Sequence, residues 1–231
     1  MVKISVISIA RRDSEFDRLR LALADQTFRD FEFITSTKGT IPQAWNDAIS
    51  RTEGELIVFT ESDALPLNNH WLADIAAVAG DNVLLKGLEI KPTDLDLCNF
   101  VCSSSIIKEA KFDESFKNCE DVELFSRLRK KGLQVQFINS FPVIHAPSQN
   151  WRKTMTRALT LGMNFTKVIY LHGRQNIDDV NSRNIKGNHI NPVSNRIRII
   201  VEQFLILLGL VLGSVRYLPI LVKHKKQSGT Q

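Results

Sequence analysis

Two acidic clusters hold the side chains best suited to chemistry. Glu61-Ser62-Asp63 stands where the apolar run Leu56-Ile57-Val58-Phe59-Thr60 ends. Carboxylates one residue apart at the end of a buried strand can hold a hard divalent cation, Mg²⁺ or Mn²⁺, and leave coordination positions open for phosphate oxygens. Taken alone, the triplet also fits a solvated turn. The second cluster is Glu120-Asp121-Val122-Glu123, preceded by Phe112-Asp113-Glu114-Ser115-Phe116 and followed by Arg127 and Gly132. A carboxylate beside an acceptor hydroxyl can take its proton. The same acids also suit the first turn of a helix, whose dipole favours negative charge. Glu123 and Arg127, four residues apart, are expected to pair.

The elements that must position these groups alternate between strand and helix. Lys3 to Ile9 reads as a buried strand, and Glu15 to Ala24 carries apolar residues at helical spacing. Phe31 to Thr35 is a second strand. Thr40 and Gln43 form a capping box that opens a helix running to about Thr52, and Glu53-Gly54-Glu55 turns the chain into the Leu56 strand. Glu61 and Asp63 therefore stand at a strand's carboxyl end, where open α/β sheets bind their ligands. Trp71 to Ala79 reads as helix, Val83 to Ile90 as strand and Pro92-Thr93-Asp94 as a turn. Cys98 to Ser103 is a further strand and Asp121 to Lys131 a helix ended by Gly132. Val135 to Ile138 and Pro142 to Ile144 are short strands, and Trp151 to Tyr170 is helical despite Gly162.

The two clusters occur in order with Lys3-Ile4-Ser5-Val6-Ile7-Ser8, Gln26-Thr27-Phe28-Arg29-Asp30-Phe31-Glu32 and Ala44-Trp45-Asn46-Asp47-Ala48-Ile49. From about Lys3 to His145 this order resembles the family-2 glycosyltransferases, inverting enzymes with a nucleotide-diphospho-sugar (GT-A) fold. The resemblance implies an α/β fold with a single doubly wound domain built on a mixed, mostly parallel sheet. It implies a nucleotide-diphospho-sugar donor and a sugar or lipid-linked hydroxyl acceptor. Asp63 takes the role of the acid that binds the metal between the two phosphates, and Glu61 that of the acid facing the ribose or sugar. Glu61 stands where relatives more often have Asp, one methylene shorter. Asp121 becomes the general base of a single inverting displacement, with Glu120 contacting the acceptor. Relatives often carry a histidine near His145 that can approach the metal or diphosphate.

The nucleotide contacts are less defined. Many relatives have an acid after the second strand that reads the base, whereas this chain has Thr35-Ser36-Thr37-Lys38-Gly39. Ala10, Arg11, Lys38, Asn46 and Ser62 are candidate nucleotide contacts, with Arg11 and Lys38 suited to phosphate charge. Arg152 and Arg157 could face a phosphate-bearing acceptor or be solvated helix positions. Two other readings remain open: a nucleotidyltransferase, although Ile9-Ala10-Arg11-Arg12-Asp13 lacks a glycine-rich phosphate loop, and a catalytically silent membrane-associated interaction protein of the same fold. A glycosidase also uses two carboxylates, but the strand-end pair favours the transferase.

The 231 residues divide into a catalytic core at 1–147, a helical and polar connection at 148–194 and an apolar helix with basic flanks at 195–231. The 30 lysines and arginines exceed the 25 acids, conspicuously toward the C-terminus, which favours an anionic surface or phosphate-bearing ligands. No basic, aromatic-interleaved helix and no zinc-finger or RNA-recognition signature appears, so no nucleic-acid partner is expected. Cys98, Cys102 and Cys119 form no disulfide framework and read as reduced structural residues. The first apolar run leads into Arg11-Arg12-Asp13 and reads as a strand, not a signal peptide, which places the domain on the cytoplasmic side of the cell membrane. Phe204 to Val222 approaches the length of a bilayer span, but Arg216 and Pro219 favour a peripheral or monotopic membrane anchor. A core helix or a homo-oligomer contact is the alternative.

Overall fold

The computed structural model describes residues 3–78, 80, 82–90, 97–145, 151–173 and 204–216, without the side chains of 151–157. The expected turn at Pro92-Thr93-Asp94, the polar connection beyond Gly173 and the basic flanks around 204–216 lie outside the described residues.

The chain opens with strand β1 (Ile4–Ile9), a 3₁₀ turn at Asp13–Phe16, helix α1 (Asp17–Ala24) and strand β2 (Phe31–Ser36). Helix α2 (Ile41–Ser50) follows, opened by the expected capping box in which Gln43 Oε1 accepts from Thr40 N at 2.9 Å. Strand β3 (Leu56–Phe59), strand β4 (Ala64–Pro66), helix α3 (Trp71–Val78), strand β5 (Leu84–Lys86), strand β6 (Phe100–Ser103) and helix α4 (Ser104–Ala110) come next. Helix α5 (Glu120–Lys130), strands β7 (Gln136–Phe137) and β8 (Val143–His145) and helix α6 (Trp151–His172) complete the main body. A further helix, α7, covers 204–216.

Six strands form one sheet in the order β2-β1-β3-β6-β5-β7. β1 pairs in parallel with β2 and β3, and β5 with β7, while β6 runs antiparallel between β3 and β5. The sheet is mixed and mostly parallel. Period-two alternation sends successive side chains to opposite faces. Ile57 and Phe59 of β3 join Ile7, Trp45, Phe100, Leu124 and Phe125 on the α2, α4 and α5 side. Leu56 and Val58 join Val6, Leu19, Leu23, Trp71 and Ile75 on the α1 and α3 side. Helices thus cover both faces, which explains why β1 and β3 are almost continuously apolar.

Two expectations change. The strand expected over Val83 to Ile90 ends at Lys86. Beyond it the chain turns toward β8, where Ile90 N donates to Val143 O at 2.8 Å and Glu89 bridges Val143. At Gly87, where the chain leaves the sheet, any Cβ would strike the Phe141 ring and the Asn99 amide. The other change is β4, which no periodicity announces. It pairs antiparallel with β8 in a separate two-stranded sheet, with Ala64 opposite His145.

Candidate active site

The parallel strands β1 and β3 build the floor of the site. Thr60 N continues the ladder by donating to Ile7 O at 3.1 Å, and Ala64 N donates back to Glu61 O at 3.0 Å. These bonds close Glu61-Ser62-Asp63 into a tight turn directly beyond β3. β4 then leads into its pairing with β8, and the Ala64–His145 register sets the imidazole against the turn. His145 Nε2 lies 3.2 Å from Glu61 Oε2 and 3.5 Å from Asp63 Oδ1. Ligand atoms of the three residues all lie within 4.8 Å of one another.

The ring is held from behind. His145 Nδ1 is 3.2 Å from Glu89 Oε2, a contact that holds a proton on Nδ1 and turns Nε2 toward Glu61 and Asp63. Glu89 is itself buried and paired with the fully buried Lys86, whose ammonium also donates to Cys98 O. Asn99, in a left-handed conformation at φ 53°, ties this wall together. Its amide donates to Leu88 O and Phe141 O at 3.1 and 2.9 Å and accepts from Trp71 Nε1 at 3.1 Å. Sequence reasoning missed Glu89 and Lys86 because both sit in a segment that reads as ordinary strand.

The donor set fits a divalent cation. His145 Nε2 is buried and within ion-pair reach of two carboxylates, yet neither contact has hydrogen-bond geometry. Asp63, then Cys98, Glu61 and Glu89 push the imidazole far above its ordinary pKa, against burial, which lowers it. Negative charge that favours a proton on Nε2 equally favours a metal ion in its place. Two carboxylates and one imidazole suit Mn²⁺, and the partial exposure of both acids leaves room for phosphate oxygens. Glu89, Cys98 and His145 form a second group with ligand spacing, but the Lys86 ammonium already supplies the positive charge there.

Asp121 and Glu120 belong to neither metal-ligand group among the described residues. They occupy the first turn of α5, where Asp121 Oδ1 accepts from Val122 N at 2.7 Å. Phe116 and Cys119, buried against Val168 of α6, anchor this helix start, and Cys119 caps it at φ 63°. As expected, Glu123 pairs with Arg127, Oε1 to Nε at 2.7 Å. Arg127 also donates to Ala110 O and Lys111 O, both at 2.6 Å, so the pair fastens α4 to α5.

The other candidates spread over the surrounding loops. Asn46 brackets the Phe112–Glu114 segment: its amide accepts from Phe112 N at 2.8 Å and donates to Phe112 O and Glu114 Oε1, both at 3.0 Å. Lys38 pairs with Asp47 at 3.2 Å, and Arg51 holds the same carboxylate at 2.8 Å. Ala10 N donates to Ser36 O at 3.2 Å, fixing the exit of β1, and Arg11 follows it exposed. Ser62 is partly buried at the centre of the acidic turn. Arg152 and Arg157 lie on α6, with side chains outside the described ones.

No family model matches the chain, and no curated protein sequence matches it. Solved structures do. A mannosyltransferase from Pyrobaculum calidifontis, PcManGT, in complex with GDP-Man and Mn²⁺, aligns over 100% of this chain and 88% of its own, with a TM-score of 0.60 and 11% identity. The chain has the fold of a GT-A nucleotide-sugar transferase. Glucosyl-3-phosphoglycerate synthase from Mycobacterium tuberculosis, in complex with Mn²⁺, UDP and phosphoglyceric acid, aligns over 72% of this chain and 78% of its own, with a TM-score of 0.55 and 11% identity. S. aureus TarS 1–349 in complex with UDP-GlcNAc aligns over 97% of this chain and 77% of its own, with a TM-score of 0.53 and 16% identity. At such identities the likeness carries the GT-A fold and not the chemistry.

Proposed function

We propose that this protein is a metal-dependent glycosyltransferase that moves a sugar from a nucleotide-diphospho-sugar to a hydroxyl acceptor with inversion. The carrying observation is the convergence of Glu61, Asp63 and His145 at the strand end of a GT-A fold. These three residues would hold Mn²⁺ or Mg²⁺, which when bound offsets the negative charge developing on the departing diphosphate. Asp121 accepts the proton of the acceptor hydroxyl as its oxygen bonds to the anomeric carbon. The bond from that carbon to the diphosphate oxygen breaks, and its electron pair leaves with the nucleoside diphosphate. Attack opposite the leaving group inverts the anomeric centre. Glu120, next to Asp121, contacts the acceptor, while Arg11 and Lys38 at the ends of β1 and β2 lie on the side expected for the nucleotide. The GDP-Man and Mn²⁺ named in the PcManGT complex support this reading.

Asp63→Asn removes one negative ligand at almost constant shape. Calorimetry with Mn²⁺ and a panel of nucleotide sugars should show metal-dependent donor binding weakened at least about tenfold, and transfer reduced on the order of 10²-fold. A folded variant with unchanged donor affinity and rate would remove Asp63 from the site.

A further inference from the structure

Helix α7 lies against α6 through its smallest residues. A Cβ on Gly209 would strike Leu159 O, one on Gly162 would strike Ile206 O, and one on Gly213 would strike the Thr166 hydroxyl. Thr166 Oγ1 donates to Gly162 O at 3.0 Å and contacts Leu210 O across the helix pair at 3.2 Å. Glycines four apart with a bonded threonine are the means by which helices pair where no hydrophobic effect drives them together.

The large residues of α7 point the other way. Phe204, Leu207, Leu208, Val211, Leu212 and Val215 are each 39–71% exposed. Their spacing puts them on a single face. A helix in water buries such a face and exposes its small and polar residues, and α7 does the reverse. The charge around it names the solvent. The last 37 residues hold six of the 30 basic residues and one of the 25 acids, so the preceding 194 are neutral overall. Arg216 closes the apolar face, Arg196 and Arg198 precede it in the chain, and Lys223, Lys225 and Lys226 follow. Thirteen helical residues reach about 20 Å, short of the roughly 30 Å hydrocarbon core. No described helix is long and apolar enough to cross a membrane.

We propose that the outer face of α7, carried on α6, docks the protein onto an anionic lipid surface. The helix lies in the interface with its apolar side among the acyl chains, and the basic residues that flank it in sequence supply charge opposite to that of the headgroups. The inference rests on no part of the catalytic reading. It is tested by sedimenting the full chain with vesicles of phosphatidylcholine alone and of phosphatidylcholine with phosphatidylglycerol, with molar mass measured without lipid. The wild type should sediment with the anionic vesicles, at least tenfold more tightly than with the neutral ones and less in high salt. Leu207→Glu with Val211→Glu should lose that binding with an unchanged circular dichroism spectrum. Lys223→Gln, Lys225→Gln and Lys226→Gln, which leave α7 untouched, should weaken binding and flatten its salt dependence. Wild type that ignores anionic vesicles, equal affinity for neutral ones, or a dimer that the glutamates split into monomers would overturn the proposal.

Discussion

In the proposed site, His145 is oriented by its neighbours as a metal-binding histidine would be. Its outer nitrogen faces Glu61 and Asp63, and its inner nitrogen is set by Glu89, whose charge is in turn met by Lys86. Carboxylates behind a metal-binding histidine fix its tautomer and raise its basicity. Glu89→Gln is therefore expected to weaken Mn²⁺ binding about 10–100-fold by calorimetry, and to destabilise the fold because it removes the negative charge that faces the buried Lys86 ammonium. Adding Lys86→Met should restore the melting temperature without restoring Mn²⁺ affinity. Equal recovery of both would show that Glu89 serves the fold alone. The proposed mechanism gives Asp121 the separate task of proton acceptance. Asp121→Asn should leave donor binding intact and slow transfer by roughly 10²-fold or more, as a donor-saturated rate assay would show.

At the scale of elements, the site depends on how strands are joined. β2 is bracketed to the turn before β3 by Glu32, whose Oε1 accepts from Ser5 Oγ at 2.5 Å, Glu53 N at 2.6 Å and Gly54 N at 3.2 Å. Burial alone raises the Glu32 carboxyl, but the hydrogen bonds from Ser5, Glu53 and Gly54 and the nearby Lys3 hold it below its ordinary value. The folded pKa is thus below the unfolded value of about 4.3, so the contribution is complete above that value and is lost as pH falls through the folded one. Glu32→Gln should melt below the wild type near neutral pH, and the gap should close as the buffer falls from about pH 6 to about pH 3. A gap that stays constant across thermal melts at several pH values would assign the loss to shape instead of charge.

For the whole molecule, the proposed site would link cation binding to folding. Glu61, Asp63 and His145 come from β3's end and from β8, about 80 residues apart in sequence. An ion that binds them only in the folded state must stabilise that state. Mn²⁺ at a hundred times its dissociation constant should add about 2.7 kcal/mol and raise the melting temperature by roughly 5–10 °C. Asp63→Asn should abolish the rise. A shift of equal size in the variant, read by differential scanning fluorimetry, would place the ion elsewhere.

Local pattern was enough for much of this protein. Buried strands, the Thr40–Gln43 capping box, the Glu123–Arg127 pair and the strand-end position of Glu61 and Asp63 follow from periodicity, propensity and spacing, which act over a few residues. Gly162, which reads as a weakness within a helix, has its reason only in the close approach of α7. β4 is three residues with no alternation, so nothing local distinguishes it from loop. Its pairing with β8 nevertheless brings His145 to the acidic turn, and the departure of the chain at Gly87 brings Glu89 behind the ring. Those placements depend on hydrogen bonds and packing between segments far apart in the chain, so sequence determined which groups could bind a cation and tertiary structure decided which of them meet.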